Sequence, residues 1–167
     1  MTMNRWQVVT AARRLLLWLS IFVAAAVSCE PAAGQGYRGR LSSEEQNVLK
    51  AEKYFALAKQ ATAARRYREA REYLLRITSL RFPRDPQAQY LLAGAYMLLA
   101  QIDLGQSQFQ TAESSARAAL RLCGNRSGVV PAESMRVLGR VAEVQGRRSD
   151  SSRYLKRALE MLERQGR

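Results

Sequence analysis

The apolar positions of the chain fall into a repeating pattern of small and large residues. Ala58, Ala70 and Ile77 lie twelve and then seven residues apart, and the same spacings recur in Ala100, Ala112, Ala119 and in Gly139, Ser151, Ala158. A Leu precedes the first member of each set (Leu57, Leu99, Leu138), and a large apolar residue stands four before it (Tyr54, Tyr96, Met135). Three before the middle member stand Tyr67, Phe109 and, breaking the pattern, Arg148. Seven residues span two helical turns on one face. Twelve residues join a site on one helix to a site on the next across a short turn. Antiparallel helices approach closely only where a small residue meets the neighbouring surface. The pattern therefore predicts three antiparallel helix pairs, each leaving an apolar face for the next to cover.

Local signals place the elements. Ser42 with Glu45, or Ser43 with Gln46, has capping-box spacing and predicts a first helix from about 43 to 64. Pro86 and Pro131 fit the first turn of a helix, which opens further helices near 87–105 and 131. The last helix is predicted over roughly 149–165, and the pairs over about 43–84, 87–124 and 131–165. Ala, Leu, Arg, Glu and Gln dominate the composition while Val, Ile and Thr are few, which agrees with an all-α chain.

Over residues 51–165 this pattern resembles the tetratricopeptide repeat (TPR) family. Met135, Leu138-Gly139, Ala142, Gly146, Leu155 and Ala158 carry the resemblance in the third unit. Tyr54, Leu57-Ala58, Tyr67, Ala70, Leu74 and Phe82-Pro83 carry it in the first. The units lie 42 and 39 residues apart rather than the family's usual ~34. Ala61, Asp103 and Ala142 stand where the family often has an aromatic. The resemblance implies an α-α superhelix whose first helices line a concave groove. On this sequence the groove would present Glu52, Phe55 and Lys59, then Met97, Gln101 and Leu104, then Arg136 and Arg140, flanked by Thr62, Glu133 and Glu143. The apolar members could seat an apolar side chain of a peptide or helix, and the basic ones its carboxylates. The same apolar residues could equally pack on the neighbouring helix, and Arg136 and Arg140 could pair with Glu133 and Glu143. The carboxylate clamp of chaperone-tail-binding members is not matched, since Phe55, Lys59, Leu98, Glu133 and Val137 occupy those places.

Charge and chemistry narrow the function. The chain carries 27 Lys+Arg against 14 Asp+Glu, a formal net charge of +13, and has no His. A positive field attracts anionic partners. The missing imidazole removes the commonest general base and metal ligand. Cys29 and Cys123 are far apart and lack metal-type spacing. No enzyme, cofactor or metal is expected. A basic zone, Arg65, Arg66, Arg68, Arg71, Arg76, Arg81 and Arg84, reads as a solvated convex face in which Glu72 pairs with Arg76, or as a contact for anionic lipid or cell-wall polymer.

The N-terminus reads as an export signal. Arg5, Arg13 and Arg14 precede an apolar run from Leu15 to Val27, too short to cross a bilayer and stay. Ala26-Val27-Ser28-Cys29 resembles a bacterial lipobox, which implies a signal over 1–28 and lipidation of Cys29; cleavage after Ala26 or Gly34 is the other reading. Residues 29–41 read as a flexible tether and 42–167 as the repeat domain. Export leaves a basic protein where nucleic acid is scarce, so no nucleic-acid partner is expected.

The expected protein is a lipid-anchored scaffold on the periplasmic side of a bacterial envelope, binding another envelope protein or peptide in pilus, outer-membrane or cell-wall assembly. The alternative is a transport-linked binding protein holding a small apolar ligand or lipid between its long helices, lined by Phe55, Met97 and Leu104. On the last helix, Leu155, Ala158 and Leu162 are expected to face the partner helix, leaving Tyr154 and Met161 outside for self-association or partner docking.

Overall fold

The computed structural model describes residues 41–165. The export segment, Cys29 and the tether expected before Leu41 lie outside them. The described residues are all-α, with six helices: α1 Ser43–Ala63, α2 Tyr67–Thr78, α3 Pro86–Gly105, α4 Phe109–Cys123, α5 Val129–Val144 and α6 Arg148–Gln165. None of these helices is long and apolar enough to cross a membrane.

The helix starts follow from their first residues. The Ser42 hydroxyl accepts from the Glu45 amide at 3.2 Å, and the Ser42 amide donates to the Glu45 carboxylate at 2.7 Å, completing the box. Asp85 caps α3 by accepting from the amides of Gln87 at 3.0 Å and Ala88 at 2.9 Å, ahead of Pro86 at the first position.

Three turns close the pairs, and they share one hydrogen-bond pattern. The amides of Arg66, Gln108 and Arg147 donate to the carbonyls of Ala61, Asp103 and Ala142, each at 2.8 Å. One residue earlier, the amides of Arg65, Ser107 and Gly146 donate to Thr62, Leu104 and Glu143, each at 3.0 Å. Those are the two bonds of a Schellman motif, whose αL residue stands at Arg65 (φ 59°), Ser107 (φ 60°) and Gly146 (φ 75°). Only the third turn has the glycine that this conformation favours. The turns repeat 42 and 39 residues apart, the same intervals as the small residues.

Those small residues lie where the helices cross. Ala58, Ala70 and Ile77, then Ala100, Ala112 and Ala119, are fully buried, and Ser151 and Ala158 nearly so. Gly139 is buried too, and a Cβ there would come within 3.0 Å of Leu155 Cγ and Cδ2, so α5 and α6 meet with no room for a methyl group. Around the first crossing Leu74 and Ile77 are buried with Ala95, Leu99 and Ile102 of the next pair. Each buried Leu or Ile side chain among them stabilises the fold by about 1.5–3 kcal/mol. The second junction buries Ala100, Ala112 and Ala116 against Val137, Leu138 and Val141.

The backbones of the first helices of successive pairs come together, α1 with α3 and α3 with α5, whereas those of the second helices α2, α4 and α6 stay apart. Ion pairs reach across instead. Arg71 on α2 pairs with the buried Asp103 at the end of α3, Nε to Oδ1 at 3.0 Å. Glu113 holds the corresponding place on α4 and reaches the next turn with the opposite sign, to Arg147 at 3.6 Å. Asp103 thus places a buried carboxyl group at this junction, within reach of Arg71.

The basic zone is largely engaged. Arg66 pairs with Glu69 at 2.8 Å and Arg81 with Glu44 at 3.5 Å. The expected Glu72–Arg76 pair does not form: Glu72 faces Arg68 at 3.7 Å, and the Arg76 guanidinium lies 5.9 Å from the ring centres of Tyr54 and Tyr73. The two stacked rings give Arg76 an apolar, electron-rich surface that an exposed carboxylate does not match.

Candidate functional site

The expected groove residues separate into three groups. Gln101, Leu104, Arg136 and Arg140 come together. They line, with Gly105 and Val137, a cleft of about 530 Å³ between the C-terminal halves of α3 and α5. It adjoins a smaller cleft of about 290 Å³, lined by Thr62, Tyr67, Leu98 and Ile102, through the shared residues Gln101 and Gly105. Glu52 lies apart, on an apolar cleft of about 490 Å³ between the N-terminal ends of α1 and α3, with Leu41, Val48, Leu49, Ala88 and Leu91. Lys59 is exposed on α1 and makes no ion pair among the described residues.

Phe55 and Met97 belong to the packing between pairs. Phe55 is half-buried, and its ring comes within 3.4 Å of where a Gly94 Cβ would stand. Met97 packs on Ala93, Cys123 and Val130. Leu104 does both jobs, packing against the second-junction core while lining the cleft. Phe55, Met97 and Leu104 thus pack against three different clusters rather than lining one cavity together, because long first helices bring these side chains onto the next pair.

The cleft is already polarised. Gln101 Nε2 donates to Glu133 Oε2 at 2.8 Å, and Arg136 Nη2 meets the same oxygen at 2.9 Å. Arg140 Nη1 reaches Glu143 at 2.9 Å. Both arginine side chains keep more than three-fifths of their surface in solvent, 63% and 65%. Exposed pairs of this kind contribute about 0.2–1 kcal/mol, so a bound carboxylate competes for either guanidinium at little cost. Leu104 and Val137 give an apolar floor between them.

Other titratable groups add little chemistry. The Cys123 thiol is free, and burial pushes its pKa up, which makes it a poor nucleophile. Hydrogen bonding to Glu113 raises the pKa of Arg117. No group of His, Cys, Asp and Glu among the described residues is placed to hold a metal ion.

Sequence reasoning missed Asp103, whose Oδ2 has no hydrogen-bond partner among the described residues. The only signal was that Asp103 stands where the repeat pattern the sequence resembles often has an aromatic. Tyr154 is also placed differently: it is half-buried at the edge of the second-junction core, with Arg153 over its ring, because α6 turns it towards that core. Met161 is half-buried, while Leu159 and Leu162 are the exposed apolar residues of α6. No family model matches the chain, and no curated protein matches it in sequence.

Proposed function

We propose that the chain is a TPR-type scaffold that binds a peptide or helical segment of another envelope protein, and catalyses nothing. The carrying observation is the convergence of Gln101, Leu104, Arg136 and Arg140 on one cleft, with exposed guanidinium groups over an apolar floor. Such a site suits a segment that presents one apolar side chain flanked by carboxylates. Close approach of the first-helix backbones, and its absence between those of the second helices, favours a stack curved with the first helices inside, as a superhelix requires. The absence of His supports a non-catalytic reading. Anchoring through Cys29, at a bacterial envelope membrane, rests on the N-terminal sequence; its role is to raise the local concentration of the scaffold. Acyl mass on Cys29 in the intact protein tests it.

A photo-crosslinker at Gln101 in cells tests the cleft. We expect an adduct with one protein, lost in the Arg136→Glu/Arg140→Glu variant and retained when the exposed Arg157 is reversed. An adduct indifferent to the double reversal, or none, overturns the reading. The second reading, a small apolar ligand or lipid, is favoured by the apolar cleft beside Leu41 and Leu49 alone. Native mass spectrometry showing bound lipid, displaced by Leu91→Glu, would select it.

A further inference from the structure

Helix α6 carries an apolar seam that its own pair covers only at one end. Leu155, Leu159 and Leu162 follow one another at four and then three residues, the spacing of a coiled-coil stripe. Leu155 is half-buried, with one side of its side chain against Gly139 of α5, while Leu159 and Leu162 are 62% and 43% exposed. In the preceding pair the corresponding residues, 39 earlier, are Ala116, Leu120 and Cys123. All three are covered there by α5, through Val137, Val141 and Val130. The exposed leucines thus occupy positions that a further helix covers elsewhere in the same stack.

Charges beside the seam say what that helix is. Lys156 and Glu163 flank Leu159 on one side, seven residues apart, both exposed and neither paired within the described residues. In a parallel pairing of two such helices, the two-fold axis puts this flank of each helix on opposite sides of the seam, so Lys156 and Glu163 of one copy meet neither of those of the other. In an antiparallel pairing about a two-fold axis between residues 159 and 160, Lys156 of each copy stands at the height of Glu163 of the other, on the same side. Leu155 then meets Leu162, and the two Leu159 side chains meet near the axis. The seam is therefore self-complementary in shape and charge, as an isologous interface requires.

We propose that two copies of the chain associate through an antiparallel α6–α6 contact built on Leu155, Leu159 and Leu162 and locked in orientation by reciprocal Lys156–Glu163 pairs. The contact leaves the α3–α5 cleft open and does not depend on what that cleft binds. Sedimentation equilibrium on the full chain in a mild detergent tests it. We expect a reversible monomer–dimer equilibrium. Glu163→Lys should raise its dissociation constant about tenfold, as two attractions become two repulsions, and adding Lys156→Glu should restore it. Leu159→Asp should leave monomer, with unchanged circular dichroism. The charge variants keep the proposal decidable if Leu159→Asp misfolds. A wild-type chain monomeric throughout, a dimer indifferent to the charge variants, or Leu159-dependent recovery of a different protein on a monomeric chain would each overturn it.

Discussion

The two ends of the repeat stack are finished differently. On α1, Lys50, Lys53 and Gln60 are exposed at the positions where α3 packs Leu92, Ala95 and Ile102 into the core, and where α5 buries Pro131, Ser134 and Val141. Three residues that would face a preceding pair are thus polar, with Leu49 the apolar exception at 54% exposure. On α6 the reverse holds: Leu159 and Leu162 remain apolar where Leu120 and Cys123 of α4 are covered. A polar outer face is what a terminal repeat needs for solubility. The outer face of α1 is therefore polar where that of α6 is apolar, which is the difference the proposed α6–α6 contact rests on. Within one repeating fold, exposure at equivalent positions separates the two ends more sharply than the hydrophobicity of either helix.

The two ends are joined by the packing of successive pairs, and the first junction is the place to break it. Arg71→Ala leaves Asp103, 1% exposed, without its cation. Breaking a buried pair costs about 3–5 kcal/mol, and the lower figure applies because Arg71 keeps a third of its side chain in solvent. Thermal unfolding should fall by about 3 kcal/mol, and the Arg71→Ala/Asp103→Leu variant should recover most of it. The polar face of α1 can be altered next. Lys50→Leu/Lys53→Leu should leave the unfolding midpoint nearly unchanged while producing concentration-dependent association that Leu159→Asp does not suppress, read by light scattering. The smallest effect lies in the turns. Arg65→Gly or Ser107→Gly, replacing an αL residue that costs about 1–2 kcal/mol, should stabilise by about 0.5–1 kcal/mol after the extra entropy of the unfolded chain. Gly146, already suited to its turn, should lose stability as Gly146→Ala; denaturant melts of the three variants measure it.

What was legible in the sequence was whatever depends on local geometry. The Ser42 box, the Pro86 start and the twelve-and-seven spacing of small residues each encode a contact that short chain segments make by themselves or with their immediate partner. The groove was only half legible. A helical face names Phe55, Met97, Gln101 and Leu104 alike, yet the rotation of one pair on the next decides which meet solvent. For the same reason Tyr154 and Leu162 exchanged their expected sides: both lie at the margin of the α5 contact, where a modest rotation of α6 moves a residue across the boundary.

The sequence by itself determined an all-α chain of three helix pairs with close crossings at small residues, because helix period, caps and Cβ volume are properties of neighbouring residues. Tertiary structure alone decided that Asp103 is buried on Arg71, that Phe55 fills the space above Gly94, and which leucines of α6 stay open. Those outcomes depend on how separately formed pairs dock, and docking joins residues thirty or more positions apart whose distance no local pattern records.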